Sequence, residues 1–168
     1  MTTALTAEQE ALLERVLASY RVYYDINRET PAAPFAAEAV FNHHREQYMF
    51  SRSIKLSEEN SGEYAFFAVT GDLTEELFEE LDRTAWETGL SRVKPGPSHK
   101  NTDVTLIILA DHVSDALWPR VKKASHSKGY RLGLHGFSNY RVAVYDRTAG
   151  AAGANRLGQD LVNLFKKG

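Results

Sequence analysis

The chain has 168 residues, 43% of them hydrophobic and 25% charged, ordinary globular values that exclude wholesale disorder and let roughly two thirds of the unfolded surface be buried. A formal net charge of −2 speaks against a protein that coats nucleic acid and against a polybasic membrane binder. The absence of cysteine removes disulfides, thiolate zinc sites, iron–sulfur clusters and cysteine nucleophiles together.

No segment approaches the ~20 apolar residues of a membrane helix, and the N-terminus lacks the basic and apolar regions of a secretory signal. A cytoplasmic protein with no membrane partner is expected. Thr6 and Gln9 have capping-box spacing, and Leu12, Leu13, Val16, Leu17 and Tyr20 then recur at helical intervals, predicting an amphipathic helix over about 7–20. Residues 21–34, with Pro31 and Pro34, read as a connector.

Residues 36–70 read as a three-strand meander, with strands near 36–42, 48–56 and 64–69. Asp72 to Glu75 repeats the capping spacing ahead of a helix with Leu73, Leu77, Leu81 and Ala85 inside and Gly89 as its stop. Residues 91–102, with Pro95, Gly96, Pro97 and cations at both ends, form a loop.

The nearly continuous apolar run Val104–Ala110 has the pattern of a strand covered on both faces. Residues 114–126 are helical, with Pro119 in the first turn. Period-two alternation over 130–134 and 140–145 predicts a hairpin around His135–Asn139. Residues 147–154 and 1–5 are expected to be flexible. Asn155 caps a last helix carrying Leu157, Leu161, Leu164 and Phe165. Together these elements make one α+β domain over 1–168, a mixed or mostly antiparallel sheet of about six strands with four helices, centred on Val104–Ala110.

Six histidines without cysteine raise a metal hypothesis. Adjacent His43 and His44 would diverge on a strand, and no H-E-x-x-H or H-x-H occurs, so no metal and no cofactor is predicted. Phosphate-binding glycine loops and the G-x-S-x-G elbow are absent, and Lys55 lacks the preceding carboxylate of a metal-dependent nuclease. Arg52, on an apolar strand face, reads as a paired or snorkelling arginine.

Three residues at element ends are catalytic candidates. Asp111 and His112 close the most buried strand, where open α/β sheets gather ligands, and His135 stands beside Gly136 at the hairpin apex. Each also has a plain structural reading, as a turn or cap residue. Arg92, Lys94, Lys100 and Arg141 are the candidate ligand-binding cations.

Charge is divided along the chain. Residues 72–87 hold seven acids against one base, and residues 92–131 hold eight bases against three acids. The acidic helix face is explained by solvation alone. The basic half could meet a small anionic ligand, a protein partner or, pairing with the acidic half, a second copy of the chain. Net charge speaks against nucleic acid as a partner, and 118–131, with Trp118 or Tyr130 for stacking, is where it would make contact.

The binding or regulatory reading leads, and a small hydrolase or nuclease-like enzyme built on an Asp/His cluster is the alternative. Lys94-Pro95, Thr105–Asp111, Gly133–Gly136, Arg141 and Asn155–Gly158 give the chain, from about Tyr23 onward, a resemblance to a small bacterial family of uncharacterised proteins. The resemblance implies no activity, and no functional residue is carried over from it.

Overall fold

Residues 4–42, 61–97, 99 and 101–166 are described by a computed structural model. The expected second meander strand near 48–56 lies outside them, as do His43, His44, Arg52, Lys55 and Lys100.

Thr6 starts the first helix as its sequence predicts. Its hydroxyl accepts from the Gln9 amide at 3.1 Å, and the Gln9 side chain accepts from the Thr6 amide at 3.0 Å, so two of the donors that open a helix are satisfied reciprocally. Helix α1 covers Ala7–Tyr20 and buries Leu12, Leu13, Val16, Leu17 and Tyr20. The strands that follow are β1 (Tyr24–Asn27), β2 (Ala37–Phe41) and β3 (Ser61–Leu73), leading into helix α2 (Glu75–Arg92). Then come β4 (Asn101–Val113), helix α3 (Leu117–Lys123), β5 (Ser127–Gly129), β6 (Phe137–Asp146), β7 (Ala151–Ala154) and a 3-10 helix over Arg156–Phe165.

These strands form one mixed sheet of α+β type, in the order β1-β2-β3-β4-β6-β5, with β7 also on β6. The central trio is parallel, with Ala65 level with Thr105 and Thr105 level with Arg141. The outer pairings are antiparallel. β4 is the innermost strand. Its side chains alternate between two cores, Val104, Leu106, Ile108 and Ala110 toward α2 and α3, Ile107 and Leu109 toward α1 and the 3-10 helix. Burial on both faces is why the run reads as continuously apolar. Three layers result, with the sheet in the middle.

Several local expectations are corrected. Asp72 does not cap α2, because parallel pairing carries β3 on to Leu73, level with Val113. Thr74 caps instead, accepting from the Leu77 amide at 3.1 Å. Gly89 does not stop the helix. A Cβ there would stand 2.6 Å from both Val104 methyls, so the glycine lets α2 lie close on β4 and the helix runs to Arg92.

Residues 21–34 contain an edge strand, β1. The hairpin pairs differently from the alternation, with Ser127 level with Asn139 and Gly129 level with Phe137. Residues 130–136 are therefore the connection rather than a strand. The stretch 147–154 contains β7.

Asn155 is the capping residue its position predicts, and it does more. Its carboxamide nitrogen donates to the carbonyls of Tyr140 and Ala124, and its oxygen accepts from the amides of Val142 and Gly158. All four hydrogen-bonding positions of the amide are filled.

Candidate functional site

The sequence candidates fall at opposite ends of the parallel strands. Asp111 lies at the carboxyl end of β4. Its carboxylate accepts from Arg147 Nε at 3.0 Å and from Gln9 Nε2 at 3.2 Å, tying the turn after β6 and the first turn of α1 to the central strand. Asp146, next to it across the sheet, is buried and accepts from the amides of Val113 at 3.0 Å and Ala149 at 2.9 Å. These carboxylates hold the carboxyl end together.

His112 is exposed and level with Asp72, and its imidazole makes no hydrogen bond or ion pair among the described residues. Neighbours along a strand point to opposite faces, so Asp111 and His112 diverge. His135 precedes β6, whose Phe137 is level with Asn101. At ~3.3 Å per residue it stands about 30 Å or more from Asp111. Proton transfer requires contact directly or through one water. The Asp/His cluster is not assembled.

Two of the candidate cations are taken up internally. Arg92 grips Glu38 through both terminal nitrogens, at 2.7 and 3.2 Å, with its guanidinium over the Phe66 ring. Arg141 holds Asp160 with two contacts of 2.7 Å, donates to the Leu157 carbonyl and reaches Glu63 at 3.4 Å. Burial opposes its charge, but Asp160 and Glu63 outweigh that and raise its pKa.

Glu63 also accepts from the hydroxyls of Tyr24 and Thr105, each at 2.6 Å. The carboxylate of Asp103, level with Glu63 on the neighbouring strand, accepts no hydrogen bond among the described residues. Burial and then the charge of Glu63 push its carboxyl upward. The basic segment 118–131 is also committed in part. Arg120 pairs with Glu79 and reaches Glu75, so the acidic and basic halves meet within one molecule. Trp118 lies against Gly153 and offers no free face there.

What remains open is the amino end of β4 and β6, where the segment after α2 meets residues 130–136. His99 joins them. Its Nδ1 lies 2.6 Å from the His135 carbonyl and its Nε2 lies 2.7 Å from the Thr102 hydroxyl. A carbonyl can only accept, so Nδ1 carries the proton. Tyr130 meets the His99 ring edge-on and shares a hydrogen bond of 2.8 Å with Ser138.

From this base the chain makes a compact loop closed on itself. The Tyr130 amide donates to the Gly136 carbonyl, and the Tyr130 carbonyl accepts from the amides of Gly133 and His135, all at 3.0 Å. Arg131 and Leu132 take left-handed backbone at φ 48° and 56°, a conformation that costs roughly 1 kcal/mol or more in a non-glycine residue. Gly133, at φ 89°, also lies under the Phe137 ring, where a Cβ would sit 2.9 Å from Cζ.

With the loop's backbone bonded inward, its apolar side chains point out. Leu132 is fully exposed, Leu134 is 77% exposed and Phe137 is 49% exposed. Lys94, Lys128 and Arg131 are exposed at the same end and form no ion pair among the described residues; Lys128 lies over the Tyr130 ring. Sequence alternation hid this knob by assigning Leu132 and Leu134 to a strand. The signal that marks it is Gly133 and Gly136 three residues apart, both at positive φ.

A cavity of about 1020 Å³ opens at the other end, between α1 and the 28–36 connector. Leu5, Pro31, Phe35 and Val69 form apolar walls beside Arg28, which is already held by Glu10 and Glu14. Among the described residues no three His, Asp or Glu side chains converge to hold a metal ion. No helix among them is long and apolar enough to cross a membrane.

No curated protein and no solved structure matches the chain. A family model does, over residues 8–167, and with nearly the whole length matched the chain belongs to the family described as a domain of unknown function, DUF8052.

Proposed function

We propose that this protein is a binding domain that recognises a protein partner through the knob formed by Leu132, Leu134 and Phe137. The observation that carries the reading is that exposure on an internally bonded, left-handed loop. Isolated exposed leucines need no explanation, but adjacent ones held out on a costly backbone do. Leu132 and Leu134 stand out in solvent and their unpaired neighbours are cationic, so the knob suits a partner with an apolar pocket and an acidic rim. Arg92 and Arg141 already have internal carboxylate partners, which weakens the small-anion reading. The separation of Asp111 from His135 removes support from the hydrolase reading.

A photo-crosslinking side chain at Leu132 of the full chain tests this. One protein should be captured repeatedly from there and from Leu134, but not from Glu87 on the exposed face of α2. The purified pair should lose at least about tenfold in affinity with Leu132→Asp plus Leu134→Asp and weaken as salt rises. Capture only of a second copy would make the knob a homo-oligomer contact. Equal capture at all three positions would refute the reading.

A further inference from the structure

The strand that leads into the knob is weakly held. β5 has three residues, all exposed, and only three register pairs on β6. The last well-anchored side chain before it is His126. Its Nε2 lies 2.7 Å from Asp82 Oδ2, its ring stacks on Trp86 at 5.3 Å with planes 18° apart, and Tyr140 meets it edge-on at 4.8 Å. Asp82 and Trp86 are four residues apart on α2, so carboxylate and indole share one helix face. The imidazole sits between them, two thirds covered.

We propose that Asp82, Trp86 and His126 form a proton-controlled latch that fixes the base of the 130–136 knob, tightening as His126 gains its second proton. The proposal rests on the knob being the contact surface and adds its regulation.

A carboxylate only accepts, so Nε2 presents its proton to Asp82 in either charge state, and the bond itself is always present. Protonation changes the charge on the ring. A neutral hydrogen bond becomes a charge-assisted one, roughly twice as strong, and the indole face gains a cation. Glu79 on α2 favours the same direction. Arg120 and Lys123 on α3, which line a cavity of about 340 Å³ with Asp82 and Glu79, oppose it. Tyr140, fully buried, is held neutral by burial and by the Asp82 charge. A partner should therefore be held more firmly as the pH falls through the imidazole range.

The test is amide hydrogen exchange and histidine-ring NMR on the full chain between about pH 5 and about pH 8, with exchange corrected for its intrinsic rate. Protection of residues 127–135 should rise about threefold on acidification, with a midpoint matching the His126 ring titration. His99 and His135 meet at the same loop, so variants assign the effect. Both His126→Gln and Asp82→Asn should flatten the dependence, with His99 and His135 intact. Flat protection across the His126 titration in the unmodified chain would overturn the latch, even if neither variant folds. So would a pH dependence that survives in His126→Gln. None of these measurements involves a partner, so failure of the knob as a contact surface would register separately, in the Leu132→Asp plus Leu134→Asp pair.

Discussion

The two ends of the parallel strands are built on opposite rules. At the carboxyl end, where open α/β sheets usually present ligands, the turn after β4 and the turn after β6 are fastened by Asp111 and Asp146. At the amino end, the 130–136 loop bonds much of its backbone to itself and apolar side chains face water. The difference teaches that a carboxylate at a strand end is not by itself a sign of chemistry. What separates a fastener from a working group is whether its hydrogen-bonding capacity is already filled.

The comparison breaks most directly at Asp146. Asp146→Ala leaves the amides of Val113 and Ala149 without their acceptor and should cost about 3 kcal/mol of stability in urea unfolding. A loss below about 1 kcal/mol would mean that the carboxyl end is held by something else. Asp111→Ala should cost less, about 1 kcal/mol, because its pairing with Arg147 is partly screened by solvent. Neither change should alter partner capture at the knob.

The amino end should behave in the reverse way. Leu132→Asp plus Leu134→Asp should change stability by no more than about 0.5 kcal/mol, as exposed positions do, while capture is lost.

The finest test is a sign. The folded-state carboxyl of Asp103 is raised by burial and by Glu63, so ionising it works against the fold. That cost is absent below the ordinary aspartate range near ~3.9 and grows as pH rises through the folded-state value. Asp103→Asn should therefore melt above the unmodified chain at neutral pH, with the gap closing as the pH falls toward about 4. A gap independent of pH would show that charge is not its cause.

Much of this architecture was legible in the residues. The Thr6–Gln9 box, the two-faced burial of Val104–Ala110 and the Asn155 cap all follow from local patterns, because each depends on neighbours a few positions away. The errors came where distant packing decides. Gly89 reads as a helix stop unless Val104 is known to lie beneath it. Asp72 reads as a cap unless β3 is known to pair with β4 as far as Leu73.

Strand alternation over 130–134 was real but was outweighed by two positive-φ glycines and the ring of Phe137. The site was less legible than the fold. A candidate list drawn from strand ends could not separate Asp111 from a catalytic acid. Asp82 and His126, 44 positions apart, carry no shared motif and were absorbed into a solvated face and a helix end.

Asn155 has a consequence for how the molecule meets others. β5 covers the outer edge of β6 up to Asn139 and β7 covers it from Ala143, which leaves the Tyr140–Val142 backbone between them. The Asn155 amide takes the Tyr140 carbonyl and the Val142 N–H, and its own N–H takes the Val142 carbonyl. One residue thus substitutes for the missing piece of a neighbouring strand. An incoming chain therefore finds the Tyr140–Val142 stretch of β6 already paired, so strand addition and edge-to-edge aggregation cannot start there.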